Sequence, residues 1–278
     1  MFNKALFLTL IQVSFLWCYE FTDQQVLDYH NGTQQQIENL DAAIGEGFFE
    51  GASSILDVGC GDGQVTARLA QQFPKIHFIG CDISKAMIEF AKRTYSYPNL
   101  EFIEKDACHL GYEHQFDRIV SFSALHWMED QKQALTSIYQ ALKPNGKVLI
   151  RATPKTSNND FKAISLKVIL SFKWVSHFLN YRNTHSFHSE RDYRKILTGI
   201  GFKVDRIEQK NKELCFENKE ALIPFLKAIL TPLSKIPPAK KDDFLADYYQ
   251  ELVKHGNVDE NGVIHIHFDK VELALSKE

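Results

Sequence analysis

Short apolar segments alternate with amphipathic segments between residues 52 and 152, and this alternation constrains the fold more than any other feature of the chain. Near-continuous apolar strands separated by helices are typical of a parallel sheet that is covered on both faces. Right-handed connections then place a ligand at the carboxyl ends of the strands, where the strand order reverses. The predicted strands of this α/β region are Ser54–Val58, Ile76–Cys81, Leu100–Glu104, Phe116–Phe122 and Lys147–Ala152.

The pattern changes after residue 153. An apolar and aromatic segment, Phe161–Leu179, predicts a helix, and further strands are predicted at Gly201–Gln209 and at Val263–Phe268 or slightly beyond it. The remaining apolar periodicities and capping residues predict the other helices: Gln64–Phe73, Lys85–Tyr95, Asp130–Leu142, Asp192–Leu197, Glu220–Leu230 and Phe244–Val253.

The domain organisation follows from these elements. We expect one domain, residues 20–278, preceded by an apolar segment of residues 1–19. Its core is predicted to comprise residues 50–153, and a helical cap is predicted as an insertion at about residues 155–200. The chain is long enough for such a domain to bury a large core.

The first nineteen residues resemble a secretory signal, because Lys4 precedes an uncharged apolar run. Leu16 and Cys18 stand where cleavage favours small residues, and the run is short for a membrane span. The alternative interpretation is a buried or interfacial helix at the start of the chain.

Composition narrows the class of partner. The chain is 44% hydrophobic with a net charge of −3, which argues against a disordered chain, a multi-span membrane protein and a basic nucleic-acid binder. Its five cysteines form no C-x-x-C pair, and an odd number favours reduced thiols over a disulfide framework. No metal site is predicted: His185-x-x-His188 is interpreted as polar surface, and His265-x-His267 as an exposed or packed strand face.

A glycine loop follows the first predicted strand. Ile55–Gly63 reads ILDVGCGDG, so Gly59, Gly61 and Gly63 alternate directly after an acidic strand end that carries Asp57. Glycine permits positive φ and lets a ligand contact the backbone. The loop differs from the dinucleotide fingerprint G-x-G-x-x-G, because Gln64 stands at the sixth position, and it is no phosphate loop either. The pattern indicates close approach of a ligand without a pyrophosphate site.

Carboxylates end the next two predicted strands. Asp82 stands in IGCDIS, where a carboxylate accepts both hydroxyls of a ribose. Asp106 stands in EKDACHL, where a carboxylate can accept from the exocyclic amine of an adenine. Each residue alone is commonly a turn residue or a helix cap. With the glycine loop, they describe a crevice shaped for a nucleoside.

These residues resemble the class I S-adenosylmethionine-dependent methyltransferases, over roughly Ser53–Ala152. The segment Leu142–Leu149 (LKPNGKVL) is similar to the turn before that family's fifth strand. The resemblance implies a Rossmann-like methyltransferase fold and S-adenosyl-L-methionine as cofactor. It implies that Asp82 binds the ribose, Asp106 the adenine, and Ser123 lies under the sulfonium. The full set of implied cofactor positions in this part of the chain is Asp57, Gly59, Gly61, Gly63, Asp82, Ile83, Met87, Asp106, Ala107 and Ser123.

Two segments resemble a narrower group, the small-molecule carboxyl methyltransferases, which includes enzymes acting on trans-aconitate, juvenile hormone acid and malonyl carrier protein. One is Leu125–Trp127 with the helix that ends in SIYQALKPNG, and the other is Tyr29-x-x-x-Thr33-x-x-Gln36. The resemblance implies that an N-terminal helix closes over the cofactor, with Tyr29 against it. It also implies that Gln36 and Trp127 contact the substrate carboxylate. The implied catalytic positions are Gln36, His126 and Trp127.

A carboxylate acceptor needs no general base, because it is already ionised at neutral pH. His126 would then donate a hydrogen bond to the substrate and Trp127 would close one wall, whereas with a hydroxyl acceptor His126 would serve as the base. We expect a small or carrier-bound acid as the partner and no membrane span. The oligomeric state stays open.

Other acceptors and locations remain as alternatives. A methyltransferase acting on protein, RNA or a hydroxyl or carbon nucleophile is one, and a non-catalytic cofactor-binding relative is another. Nucleic-acid acceptors are disfavoured, because Ser121–Leu125 lacks the N/D-P-P-Y/F/W motif and no Pro-Cys dipeptide occurs. We expect a cytoplasmic protein, since the cofactor is made there, with export as the alternative.

Overall fold

A computed structural model describes residues 21–32, 47–155, 159–179 and 185–278. In this part of the chain the strands are β1 (Ser54–Val58), β2 (His77–Asp82), β3 (Leu100–Glu104), β4 (Phe116–Phe122), β5 (Leu142–Ala152), β6 (Lys203–Phe216) and β7 (Ile264–Ser276). They form one open sheet in the order β3-β2-β1-β4-β5-β7-β6. Strands β1 to β5 are parallel, and β7 runs antiparallel to both β5 and β6. The predicted mostly parallel, seven-stranded sheet is confirmed.

The α-helices among the described residues are α1 (Asp23–Gly32), α2 (Gln64–Gln72), α3 (Lys85–Thr94), α4 (Gln131–Ala141), α5 (Asp160–Ile169), α6 (Glu190–Ile200), α7 (Lys219–Ile229) and α8 (Lys241–His255). Short 3₁₀ turns connect several of them. Of these helices, none is long and apolar enough to span a bilayer. The apolar segment of residues 1–19 lies outside the described residues.

The central strands supply side chains to two separate cores, one on each face of the sheet. Ile55 of β1 packs in one core with Leu69 of α2, and its neighbour Leu56 packs in the other with Leu135 of α4. Successive side chains of a strand point to opposite faces, so this split is the expected consequence of a sheet covered on both sides. Both residues are fully buried, and burial of an aliphatic side chain of this size contributes about 1.5–3 kcal/mol.

The strand ends differ from the sequence prediction in two places. β5 begins at Leu142 rather than Lys147, because the Pro144-Asn145-Gly146 turn lies inside it as an irregularity in the pairing with β4. β6 and β7 are much longer than predicted and pair over their whole length. Because charged residues recur along β6, a search for apolar runs underestimates the length of this strand.

The cap consists of helices from two stretches of chain. The helix predicted over Phe161–Leu179 is interrupted: α5 ends at Ile169, and Trp174 then turns inward against Phe244 of α8. Helices α7 and α8, which stand between β6 and β7, pack in the same core as α5. The inserted helical cap is confirmed, while its predicted limits of about 155–200 stay a prediction. The cap core contains Ile164, Val168, Trp174, Leu222, Leu226, Phe244, Tyr248 and Leu252.

Helix α1 lies between the cap and the rest of the domain. A Cβ added at Gly32, its last residue, would stand only 2.9 Å from the Cα atom of Phe225 in α7. The two helix backbones therefore approach each other closely at this glycine. Val26 on the same helix is buried, so α1 is packed against the domain rather than extended into solvent.

Candidate active site

The glycine loop between β1 and α2 is the best defined part of the site. Gly59, Gly61 and Gly63 have φ angles of 76°, 56° and 79°, which is the left-handed region that favours glycine. A Cβ at Gly59 would lie 2.2 Å from the Cβ atom of Ala124, so this position has no room for a side chain. The amides of Gly59 and Cys60 donate to the carbonyl of Cys81 at 2.8 and 3.0 Å. These bonds hold the loop against the end of β2.

Asp82 links this loop to the next helix. Its carboxylate accepts hydrogen bonds from the amide of Gly61 at 3.0 Å and from the amide of Ser84 at 2.9 Å. Ser84 in turn caps α3 by accepting from the amide of Met87. Met87 is buried beneath this turn, whereas Ile83 is 44% exposed. The predicted positions Asp82, Ile83 and Met87 are thus brought to the edge of the glycine loop.

Three carboxylates at the glycine loop, Asp57, Asp62 and Asp82, influence one another electrostatically. Asp57 and Asp62 are 2% and 4% exposed. Burial raises the pKa of Asp57 to about 7, against the hydrogen bond from Thr66 at 2.7 Å, and the charge of Asp82 raises it further. Burial also raises the pKa values of Asp62 and Asp82. Buried negative charge of this kind is costly, and a positively charged ligand would relieve the cost.

Helix α1 covers the glycine loop. Its Tyr29 ring would be 3.5 Å from a Cβ added at Gly61, and His30 Nδ1 lies 2.7 Å from Asp62 Oδ2. The structure thus brings Tyr29 to the loop. Sequence analysis missed His30, which carries no motif of its own and is recognisable only as the neighbour of Tyr29. Gln36 lies outside the described residues.

Asp106 follows β3 and organises a short turn. One carboxylate oxygen accepts from the amide of Cys108 at 2.8 Å, and the other lies 2.8 Å from His109 Nδ1. Burial would raise the pKa of Asp106, but the hydrogen bonds from His109 and Cys108 outweigh it and lower the pKa. The amide of Lys105, just before, donates to the carbonyl of Asp82. Asp106 and Ala107 therefore follow a strand end that is joined to the Asp82 turn.

The segment after β4 carries two of the predicted catalytic side chains, His126 and Trp127. Ser123 adopts a positive φ of 59°, and its amide donates to the carbonyl of Arg151 at 2.8 Å. His126 is 9% exposed, and its Nδ1 accepts a hydrogen bond from the amide of Thr153 at 3.3 Å. Burial lowers the pKa of His126 to about 3, helped by His185 and Lys270. The ring is therefore neutral, with its proton on Nε2.

Four rings form what we call the aromatic patch: His126, Trp127, His185 and Phe187. The ring of His185 meets that of Trp127 edge-on with centroids 4.2 Å apart, and His126 stacks on Phe187 at 6.4 Å. Burial lowers the pKa of His185 to about 4, so this ring is also neutral. The interpretation of His185 as polar surface is wrong, because the chain before α6 folds onto the end of β4.

Hydrogen bonds of the backbone and of side chains hold the aromatic patch in place. The amide of Ser186 donates to the carbonyl of His126 at 3.0 Å, and Gln131 Nε2 donates to the carbonyl of Ser186 at 2.7 Å. The buried hydroxyl of Tyr193 donates to Gln131 Oε1 at 3.0 Å. Sequence analysis missed His185 and Phe187 because they stand about sixty residues after Trp127. The only feature of the sequence that could have indicated them was the aromatic content of the segment in which they stand.

Known proteins are similar to this chain in sequence and in fold. The family described as "Methyltransferase domain" matches residues 55–146. Juvenile hormone acid O-methyltransferase of Bombyx mori is 28% identical over 202 residues, which is 70% of this chain and 72% of that protein. Malonyl-[acyl-carrier protein] O-methyltransferase of Priestia megaterium is 25% identical over 249 residues, 84% of this chain and 87% of that protein.

The fold is also found in crystal structures. Phosphoethanolamine N-methyltransferase 2 of Haemonchus contortus, in complex with S-adenosyl-L-methionine, superposes with a TM-score of 0.61 at 21% identity. The match covers 92% of this chain and 57% of that one. At this level of identity, the likeness concerns the fold alone.

Proposed function

We propose that this chain, a class I S-adenosylmethionine-dependent methyltransferase, transfers the methyl group to a carboxylate oxygen of a small or carrier-bound acid. When bound, S-adenosyl-L-methionine supplies a methyl group activated by a positively charged sulfur. The single observation that carries the proposal is the neutral, buried His126 beside Trp127 at the end of β4.

The glycine loop and its carboxylates fit this cofactor. Asp82 accepts the backbone amides of Gly61, Ser84 and Ile83. A carboxylate has about four acceptor positions, so one is left to accept a ribose hydroxyl. The buried Asp57 and Asp62 provide negative charge near a ligand that carries ammonium and sulfonium groups. Tyr29 and His30 of α1 would close over the loop from the outside.

His126 is suited to donate a hydrogen bond and unsuited to accept a proton. With Nδ1 occupied by the amide of Thr153, the imidazole presents its proton at Nε2. A ring whose pKa is about 3 is a poor general base at neutral pH. It can orient an acceptor that is already ionised, which a carboxylic acid is and an alcohol is not. A neutral His126 with this low pKa therefore favours a carboxylate over a hydroxyl as the acceptor.

The remaining rings of the aromatic patch exclude water. Trp127 and Phe187 present apolar surface, and His185 is neutral, so no charge in the patch competes for the acceptor. Reaction of a carboxylate with a cationic methyl donor neutralises both charges, and water opposes this by solvating them. A dry wall that also fixes the carboxylate in line lowers the barrier. Two relatives are named as O-methyltransferases of juvenile hormone acid and of malonyl-[acyl-carrier protein], and these names support an acid acceptor.

The test is transfer of an isotope-labelled methyl group to a panel of acceptors. The panel contains apolar carboxylic acids, di- and tricarboxylates, acyl carriers, the matched alcohols, RNA and unfolded protein. We expect labelled products only with acids, and mild alkali should release the label as methanol, as it does from an ester. Label on an alcohol, RNA or protein but on no acid would overturn the carboxylate assignment.

Variants test the proposed role of His126. His126→Phe keeps a ring of similar shape but removes the donor, and a hydrogen bond to a charged group is worth about 1.5–3 kcal/mol. We expect kcat/KM for the acid to fall about 10- to 100-fold, with cofactor affinity unchanged. His77→Ala, at an exposed histidine of β2, is the control. Full activity of His126→Phe would contradict the role.

A further inference from the structure

Four side chains with metal-binding chemistry share one face of the long antiparallel pair of strands β6 and β7. Glu213 pairs directly with His267, and Cys215 pairs with His265. Residues two apart on a strand point to the same side, so the two pairs stand next to each other. The glycine loop and the aromatic patch use none of these residues. This set is called the strand-pair cluster: Glu213, Cys215, His265 and His267.

The donor atoms of three members of the strand-pair cluster, Glu213, Cys215 and His265, all lie within 4.8 Å of one another, and His267 contacts Glu213. His265 Nδ1 lies 2.7 Å from Glu213 Oε1 and 3.7 Å from Cys215 Sγ. His267 Nε2 lies 3.5 Å from the same Glu213 oxygen. Zinc bonds of about 2.0–2.3 Å at tetrahedral angles require ligand atoms about 3.3–3.7 Å apart. The Cys215–His265 and Glu213–His267 distances already have this value, whereas the Glu213–His265 distance has to widen.

The outward-facing nitrogens of both histidines meet carboxylates. His265 Nε2 lies 3.6 Å from Asp259 Oδ2, and His267 Nδ1 lies 3.4 Å from Asp160 Oδ2. Asp160 is held in place by Asn257 Nδ2 at 2.8 Å and by the backbone amide of His267 at 2.7 Å. Metal-binding histidines characteristically donate their second N–H to such a carboxylate, which fixes the ring and its tautomer. Each histidine therefore turns one nitrogen inward and one toward a supporting acid.

We propose that the strand-pair cluster binds one zinc ion through four side chains: Glu213, Cys215, His265 and His267. One sulfur, two imidazoles and one carboxylate form a ligand set that suits zinc. A carboxylate and a thiolate together balance the charge of Zn²⁺. Binding converts the Cys215 thiol to a zinc thiolate, and the displaced proton passes to solvent.

The proposed ion has a structural consequence. It joins β6 to β7, and through Asp160 and Asp259 it supports the start of α5 and the turn before β7. These segments belong to the cap and to the two strands between which its helices α7 and α8 stand. Zinc would therefore brace the cap, independently of the methyl-transfer site and of the acceptor proposed above.

The first measurement is the zinc content of the full-length protein. Protein stripped with a chelator is given one equivalent of zinc and passed through gel filtration, and bound metal is determined by mass spectrometry. We expect about one zinc per chain, and a higher melting temperature in its presence. A retained zinc content well below one per chain overturns the proposal.

The second measurement identifies the ligands. Cobalt(II) in place of zinc should show thiolate-to-cobalt charge-transfer absorption in the wild-type protein, and Cys215→Ser should abolish it. By competition with a chromophoric chelator, Asp259→Asn should weaken zinc binding about 10- to 100-fold, and His77→Ala should leave it unchanged. Absence of the charge-transfer band from wild type, or its persistence in Cys215→Ser, overturns the proposal. If Cys215→Ser fails to fold, the wild-type spectrum alone decides.

Discussion

The neutral state of His126 is the property on which the carboxylate assignment depends, and His126→Asn tests it. Burial lowers the pKa of this ring from 6.5 to about 3. The asparagine side chain can still accept the amide of Thr153, as the imidazole Nδ1 does at 3.3 Å. It carries no charge at any pH. The variant therefore removes the titration while it keeps a hydrogen-bond acceptor in place.

The expected magnitude follows from the two pKa values. Below pH 6.5 the unfolded chain takes up a proton at His126 that the folded chain refuses until the pH approaches 3, so acid favours unfolding. Each pH unit in this window costs about 1.4 kcal/mol. Between about pH 7.5 and about pH 5, wild type should therefore lose about 2 kcal/mol more stability than His126→Asn.

The titration of Asp57 changes the pH dependence of stability in the opposite direction. Its contribution therefore has to cancel when wild type and variant are compared. Its pKa is raised from 3.8 to about 7 in the folded protein, chiefly by burial. The folded chain thus takes up a proton there before the unfolded chain does, and stability from this group rises as the pH falls from about 7 toward 3.8. Wild type and variant share Asp57, so its contribution drops out of their difference.

Urea denaturation of both proteins across this pH range gives the free energy of unfolding directly. The quantity to plot is wild type minus variant against pH, and it should fall by about 2 kcal/mol toward acid. His77→Asn, at an exposed histidine, should give a flat line. A flat line for His126→Asn as well would mean that the ring titrates normally. The argument against a general base would then fail.

Three further substitutions test the loop and the sheet. Asp82→Asn should weaken S-adenosylmethionine binding about 10- to 100-fold by calorimetry, because it removes a charged acceptor, and unchanged affinity would contradict the ribose assignment. Gly59→Ala places an alanine at a φ of 76°, with its Cβ 2.2 Å from a neighbouring atom, and should lower the free energy of unfolding measured in urea by about 2–5 kcal/mol. Gly199→Ala on α6, where the added Cβ meets open space, is the control and should cause no loss. Glu272→Gln removes the buried carboxylate that accepts from Arg151 at 2.7 Å and should cost about 3–5 kcal/mol; a loss below about 1 kcal/mol would show that this ion pair contributes little.

The core of the fold was predictable because its determinants are local. β1 to β4 are short apolar runs with glycine, proline or an acidic residue at their ends, and such runs have few other structures available to them. The interruption of the helix after Ile169 was not predictable in this way. It depends on the burial of Trp174 against Phe244, about seventy residues further along the chain.

The same contrast separates the two halves of the candidate site. Gly59, Gly61, Gly63 and Asp82 stand within one β-α-β unit, so their spacing alone predicted that they would meet. His185 and Phe187 reach the end of β4 only through the packing of the segment before α6, and His30 reaches Asp62 only through the docking of α1. Contacts that depend on how separate elements dock leave no periodic trace in the sequence.

The proposed cofactor contacts and the proposed acceptor contacts lie on different parts of the chain, so specificity for the acceptor can change separately. The proposed cofactor contacts belong to the sheet and its loops, which are held by backbone hydrogen bonds such as those from Gly59 and Cys60 to Cys81. The proposed acceptor contacts combine one turn of the core, Leu125–Trp127, with a segment that leads into α6. A change in that segment can alter the acceptor pocket without disturbing the loop. Substitution of Phe187 should therefore change the preference among acids while leaving cofactor affinity intact, and a parallel loss of both would show that the two halves are coupled.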